Sequence, residues 1–253
     1  MGFKFSLPLI ILFVIFTGCI GTKKITYFND IAAATGADSV NRLQQLRIQP
    51  GDVLQVTITT MDKEVSQIFN PTLPTTAIAA GNGIEEGYLV DSTGHITLPV
   101  IGTVYVKDKT TTGISQEISA ELDKTVRNAY VSTRLVNFRV SVIGDVAHPG
   151  SFRIGAERAS VLDALSMAGD LNVTARRDDI MIIREVNGVK NYTTLNLNDS
   201  RMLSSPYYYL ANNDVIYVKP GANRKFGASK TVVLLPAIIG VASLIATILL
   251  LNK

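Results

Sequence analysis

Twenty consecutive residues, Val232 to Leu251 (VVLLPAIIGVASLIATILLL), carry no charge. No other feature constrains the fold of this chain as strongly. At 1.5 Å per residue, a helix over this run is about 30 Å long, the thickness of a bilayer's hydrocarbon core. Arg224, Lys225 and Lys230 precede the run and Lys253 follows it. Residues 231–251 are therefore expected to form a transmembrane helix, joined to the rest by a linker over 221–230. Within the run, Pro236, Gly240, Ser243 and Thr247 recur at spacings of four, three and four. That places Gly240, Ser243 and Thr247 on one helix face, and small faces let membrane helices approach closely. The face is expected to pack against copies of the same helix. The plainer alternative is a single tail anchor whose small residues are incidental. Three such residues are few for the lining of a water-filled pore.

The N-terminus is apolar too, but over a shorter span. Lys4 is followed by about ten apolar residues, Leu7 to Phe16. This is too short to cross a bilayer and suits the hydrophobic region of a signal peptide. Phe16-Thr17-Gly18-Cys19 comes next, and Cys19 is the sole cysteine. The stretch resembles a bacterial lipobox, with Phe16 where Leu is usual. Residues 1–18 are then a lipoprotein signal peptide, and Cys19 carries diacylglycerol as the first mature residue. A plain signal peptide or a buried thiol is the alternative. Each buried CH₂ of an acyl chain contributes about 0.8 kcal/mol, so several chains anchor stably. Ile20, rather than Asp, favours the outer membrane. A single cysteine also excludes an intramolecular disulfide and cysteine-based zinc sites.

Between the two ends the chain has the pattern of an α+β protein. Residues 19–45 are small and polar without a strand period and are expected to be a tether. Near LRIQPGDVLQVTITT (46–60), Pro50-Gly51-Asp52 signals a turn, and Leu54, Val56 and Ile58 alternate as in a half-buried strand. Residues 70–87 carry two prolines and three glycines and predict a long loop. The spacing of Gly81, Gly83 and Gly87 does not fit a dinucleotide fingerprint. Asp91-Ser92-Thr93-Gly94 predicts a hairpin turn. Ile114, Ile118, Leu122 and Val126 fall on one face of a helix over 112–126, with Thr112 as N-cap. Beyond it, 137–154 predicts strand, turn and strand. Ser160 and Asp163 predict a capping box, and Gly169 a helix stop. Asn187-Gly188 predicts a type I′ hairpin turn within 179–197, and 214–220 is a last strand. Strands followed by a helix and more strands suggest a sheet covered by one helix.

These residues carry a family resemblance. RIQPGDVLQVTI, GYLVDSTGHITLPVIGTVYV and the following helix resemble the polysaccharide export domain of outer-membrane capsule and exopolysaccharide export lipoproteins. VSVIGDVAHPGSFRI, ASVLDALSMAGDL, DIMIIREVNG and NNDVIYVKP resemble the β-grasp SLBB domain that follows it there. The resemblance implies an export domain over 46–136 and one SLBB domain over 137–220. Asp108 stands where the family commonly has glycine, a single SLBB unit is present where several members have two, and the C-terminal segment is more uniformly apolar than the amphipathic barrel helix of the best-known members. The resemblance further implies a homo-oligomeric ring in the bacterial outer membrane, lipid-anchored, with its folded domains in the periplasm. Capsular or extracellular polysaccharide would pass through it, supplied by an inner-membrane polysaccharide co-polymerase or chain-length regulator. A competing reading is an anchored periplasmic scaffold that docks partners or glycan without a pore.

Catalytic chemistry has little support in the sequence. His95 and His148 are the only histidines, and both fall in or beside predicted turns. Glu85-Glu86 and Asp178-Asp179 are sequence neighbours, not a facing acid–base pair. No G-x-S-x-G elbow occurs. The chain is expected not to be an enzyme, and to hold no cofactor or metal apart from the lipid on Cys19. A net charge of +3, dispersed along the chain, argues against nucleic acid. In PYYYL (206–210), Tyr207 and Tyr209 would share a face if the segment were a strand. Sugars stack on such faces, although sheet packing or a subunit contact explains the residues as well.

Overall fold

Alternation builds the first sheet. Leu54, Val56 and Ile58 point inward from β1 (Val53–Thr59). The computed structural model of the chain describes residues 26–30, 46–70, 87–126, 128–186, 188–221, 239–241, 243–245 and 247–248. In it β1 lies between β2 (Tyr88–Leu89) and β5 (Tyr130–Leu135), antiparallel to both, with Leu54 opposite Leu135 and Ile58 opposite Val131. β3 (His95–Leu98) and β4 (Gly102–Tyr105) form a separate hairpin. The Asp91–Gly94 turn therefore joins strands of two different sheets. The Asp91 carboxylate accepts from the Thr93 and His95 N–H groups, which closes the turn.

The helix α2 (Thr111–Leu122) lays Ile114, Ile118 and Leu122 onto this core. Its cap is Thr110, whose Oγ1 accepts the Gly113 N–H at 3.1 Å, not Thr112. Three successive threonines offer equivalent caps, and the apolar period sets the face but not the starting residue. The helix stops at Leu122; Val126 packs on the core from the turn beyond it. A short helix, α1 (Lys63–Phe69), follows β1 and is capped by Asp62. It buries only Phe69, so it has no apolar stripe to betray it in the sequence. Asp108 sits at φ +61°, in the left-handed region that glycine enters without steric cost. Its N–H donates to the Ile48 carbonyl and its Oδ1 accepts from Gln49 Nε2.

The second sheet holds β6 (Arg139–Gly144), β7 (Gly150–Arg153), β8 (Ala175–Val186), β9 (Val189–Leu195) and β10 (Val215–Pro220). Its order is β7-β6-β10-β8-β9. The last strand thus lies between two hairpins, parallel to β6 and antiparallel to β8. α3 (Val161–Met167) belongs to the same core, with Ala164 and Leu165 clustered with Val140, Val142, Ile180, Ile182, Ile216 and Val218. Ser160 and Asp163 form the capping box: Ser160 Oγ accepts the Asp163 N–H at 3.2 Å, and Asp163 Oδ2 accepts the Ser160 N–H at 2.8 Å. Gly169 at φ +76° ends the helix, and the Asp170 N–H returns to the Leu165 carbonyl. Val186 pairs with Val189, which leaves two residues for the hairpin turn.

A polar seam couples the two domains. Asp52 of the first is 2% exposed and accepts from the Gln49 N–H and from Asn212 Nδ2 of the second, at 2.8 and 2.7 Å. Asn137, between the domains, accepts the Val53 N–H and donates to the Gly51 carbonyl. Burial raises the Asp52 carboxyl above the ordinary range, and the Asn212 and Gln49 hydrogen bonds offset part of that rise.

The expected tether is not loose throughout. Residues 26–30 lie on the second domain, where the Phe28 and Asn29 N–H groups donate to the Leu197 and Asn198 carbonyls. Of the apolar C-terminal run, the described positions are helical and exposed. Among the described residues, no helix is long and apolar enough to cross a membrane. The signal peptide, Cys19, residues 20–25 and 31–45 of the expected tether, the loop residues 71–86, Asn187 of the predicted hairpin turn and all of 222–238 lie outside the described residues.

Candidate functional site

The segment around Tyr27 and the chain leaving β10 at Gly221 both meet the second domain at one stretch, the loop Asp170 to Thr174 that leads into β8. The loop is pinned from below by Asp145, a carboxylate 1% exposed, which accepts from Asn172 Nδ2 at 2.9 Å and Thr174 Oγ1 at 2.7 Å. The Tyr27 hydroxyl donates to Asp170 on this loop. The Gly221 N–H, where the chain leaves β10, donates to the Thr174 carbonyl at 2.7 Å. Chain arriving from Cys19 and chain leaving toward the apolar run are thus held at the same end of the domain.

PYYYL is a turn, not a strand. The Ser205–Tyr208 turn, closed by the Tyr208 N–H on the Ser205 carbonyl, takes in its first three residues, and Tyr209 makes one isolated bridge, to Ser160. The Tyr208 carbonyl accepts the Val161 N–H and the Leu210 N–H donates to the Ala159 carbonyl, so the segment is fastened to the start of α3. Tyr207 and Tyr209 do not share a strand face. Each ring carries a guanidinium, Arg184 over Tyr207 at 5.0 Å and Arg158 over Tyr209 at 5.1 Å. Arg184 also donates to the Tyr209 carbonyl and grips Asp214 with Nε and Nη2, at 2.6 to 3.1 Å. Burial raises the Asp214 carboxyl more than Arg184 and the Ala211 N–H lower it. This buried ion pair orders the tyrosine turn, and it was invisible in the sequence because its partners lie thirty residues apart with no local signature.

A cavity of about 730 Å³ opens between the domains. It is lined by Thr110 and Thr112 at the start of α2, by Arg134, and by Glu157 and Arg158 of the second domain. Its lining offers hydrogen-bond donors and one carboxylate, which suit polar contact. His95 hydrogen-bonds Thr93 through Nδ1 at 2.8 Å and meets the edge of Tyr105. Among the described residues, no group of three or more His, Cys, Asp or Glu is placed to hold a metal ion. On the C-terminal helix, Ser243 Oγ donates to the Gly240 carbonyl at 2.8 Å and Thr247 Oγ1 to the Ser243 carbonyl at 2.9 Å. The two hydroxyls of the small face are therefore satisfied within their own helix.

Comparison with known proteins matches residues 40–136 to the family described as polysaccharide biosynthesis/export protein, and residues 138–218 to the SLBB domain. Among curated proteins, the chain is similar to the EPS I polysaccharide export outer membrane protein EpsA of Ralstonia nicotianae, 29% identical over 153 residues, covering 58% of this chain and 40% of that protein. It is likewise similar to EpsA of Ralstonia solanacearum, 27% identical over 150 residues, covering 58% of this chain and 39% of that protein. The matched region spans about 40% of the length of these relatives.

Proposed function

We propose a function from one premise: the chain belongs to the polysaccharide biosynthesis/export protein family. It acts as an oligomeric channel of the bacterial outer membrane that passes capsular or extracellular polysaccharide out of the periplasm. The observation that carries this reading is the order of its parts, an export domain and then an SLBB domain, set between two apolar ends. Cys19 is acylated and sits in the inner leaflet of the outer membrane. Residues 231–251 cross that membrane from each subunit of a homo-oligomeric ring. The polymer arrives from an inner-membrane co-polymerase, and the chain makes and breaks no bond.

Three features support the reading. The strand order of the second domain, with the last strand central and parallel to the first, suits a β-grasp. Tyr27 on Asp170 and Gly221 on Thr174 direct both membrane-bound segments from one end of that domain. The internally bonded Ser243 and Thr247 can face a neighbouring helix or lipid without an unpaired donor. Tyr207, Tyr209 and the polar lining of the interdomain cavity offer surfaces that a passing saccharide can touch. The test is truncation after Gly221, together with a tag placed after Lys253. Export should cease in the truncated chain, and the tag should be labelled on intact cells. Continued export by the truncated chain, or a tag reached only after the outer membrane is opened, refutes the channel and favours a scaffold.

A further inference from the structure

The N-terminal segment makes more contacts than a tether needs. Four successive residues are each held. The Tyr27 hydroxyl donates to Asp170, and its ring lies over the Arg177 guanidinium at 5.6 Å. Arg177, 6% exposed, is the only buried cation among the described residues, and Tyr27 lays its ring on that charge. The Phe28 N–H donates to the Leu197 carbonyl at 3.0 Å and the Asn29 N–H to the Asn198 carbonyl at 2.8 Å. The Asp30 carboxylate accepts from the Ser200 N–H at 2.9 Å and the Ser200 hydroxyl at 2.6 Å. Phe28 adopts φ +50°, a conformation an aromatic residue takes only where its surroundings hold it there. Burial, and then Asp170, push the Tyr27 hydroxyl far above its ordinary range, as a phenol seated beside a carboxylate requires.

We propose that Thr26–Asp30 is a clasp that fastens the acylated N-terminus, in cis, to the SLBB domain, so that the lipid holds the domain directly. This rests on the reading of Cys19 as the acylated residue. Chain length shows what the clasp changes. Cys19 and Leu46 are 27 residues apart, and an extended chain of that length reaches about 90 Å. Cys19 and Thr26 are seven residues apart, which caps the reach at about 25 Å. Without the clasp, the lipid barely restricts where the folded part stands. With it, the Asp170–Arg177 end of the domain stays within about 25 Å of the leaflet, on the side from which Gly221 departs. Load on the lipid passes through Tyr27 to the loop and through Asn172 and Thr174 to buried Asp145.

The full chain in detergent tests this in two ways. Asn29→Cys and Asn198→Cys are introduced together; with Cys19 acylated, they are the only free thiols. Oxidation should give a disulfide within one chain, migrating as a monomer. Covalent multimers, or no cross-link, overturn the cis clasp. In the unmodified chain, the Phe28, Asn29 and Ser200 amides should exchange hydrogen at least tenfold more slowly than in the Tyr27→Ala, Asp30→Ala double variant, with β6 and β10 protected equally in both. Equal, fast exchange at Phe28 and Asn29 in the two proteins overturns the proposal. The mass of the N-terminal peptide reports separately on the lipid. An unacylated Cys19 sinks the anchor reading whether or not the clasp is found.

Discussion

Arg184→Met should be strongly destabilising although it leaves the apolar core of the second domain untouched. The Asp214 side chain is 1% exposed and that of Arg184 16%. The guanidinium meets both carboxylate oxygens, at 3.0 and 2.6 Å. Methionine fills much of the same volume, so the loss is electrostatic. Stripping one partner from a buried pair leaves an uncompensated charge and costs about 3–5 kcal/mol. For a domain of this size, about 3 kcal/mol lowers the melting temperature by at least about 12 °C. The pH dependence supplies a second check. Burial already raises the Asp214 carboxyl, and the guanidinium is what lowers it; without Arg184 it rises further. A carboxyl whose folded pKa lies above its unfolded value contributes full stability below the unfolded value, near 4, and loses it as pH rises through the folded value. The deficit of Arg184→Met relative to the parent should therefore shrink as pH falls from 7 toward 4. Melting curves of both proteins across that range decide it. A deficit under about 1 kcal/mol at pH 7, or one that grows on acidification, refutes the reasoning.

Other substitutions test the remaining links. Gly144 sits at φ +101°, and a Cβ there would lie 2.0 Å from the Val218 carbonyl oxygen; Gly144→Ala should separate β6 from β10 and cost more than about 3 kcal/mol, read as loss of a cooperative melt. Asp108→Gly relieves a left-handed conformation that costs a non-glycine residue about 1–2 kcal/mol, at the loss of one hydrogen bond to Gln49, so it should stabilise by up to about 1 kcal/mol, whereas Asp108→Val should destabilise. Asn212→Ala leaves buried Asp52 with one donor fewer and should cost about 1.5–3 kcal/mol, with broader interdomain distances in scattering profiles.

What the sequence made legible follows a physical line between local and distant causes. The strands of β1 and β6 show because alternation is written into adjacent residues, and α3 because Ser160, Asp163 and Gly169 are within a few positions of the ends they fix. Asp108 was legible as a departure from the family, and its positive φ supplies the reason. The α2 cap was displaced because neighbouring threonines are chemically alike. PYYYL misled because the strand preference of tyrosine reflects fit to a half-buried surface, not a backbone preference. Here the surface is the start of α3 with two arginine faces. The seam of Asp52 and Asn212, 160 residues apart, and the docking of Tyr27 on Asp170, 143 apart, have no local trace at all. Such contacts become visible only when the fold brings the partners together.

The most direct test of the account is an image of the full chain purified from membranes in detergent. Closed rings of identical subunits around a lumen are expected, with the SLBB domains on the membrane side and the export domains away from it. Isolated single chains, or closed assemblies with no lumen, would contradict it.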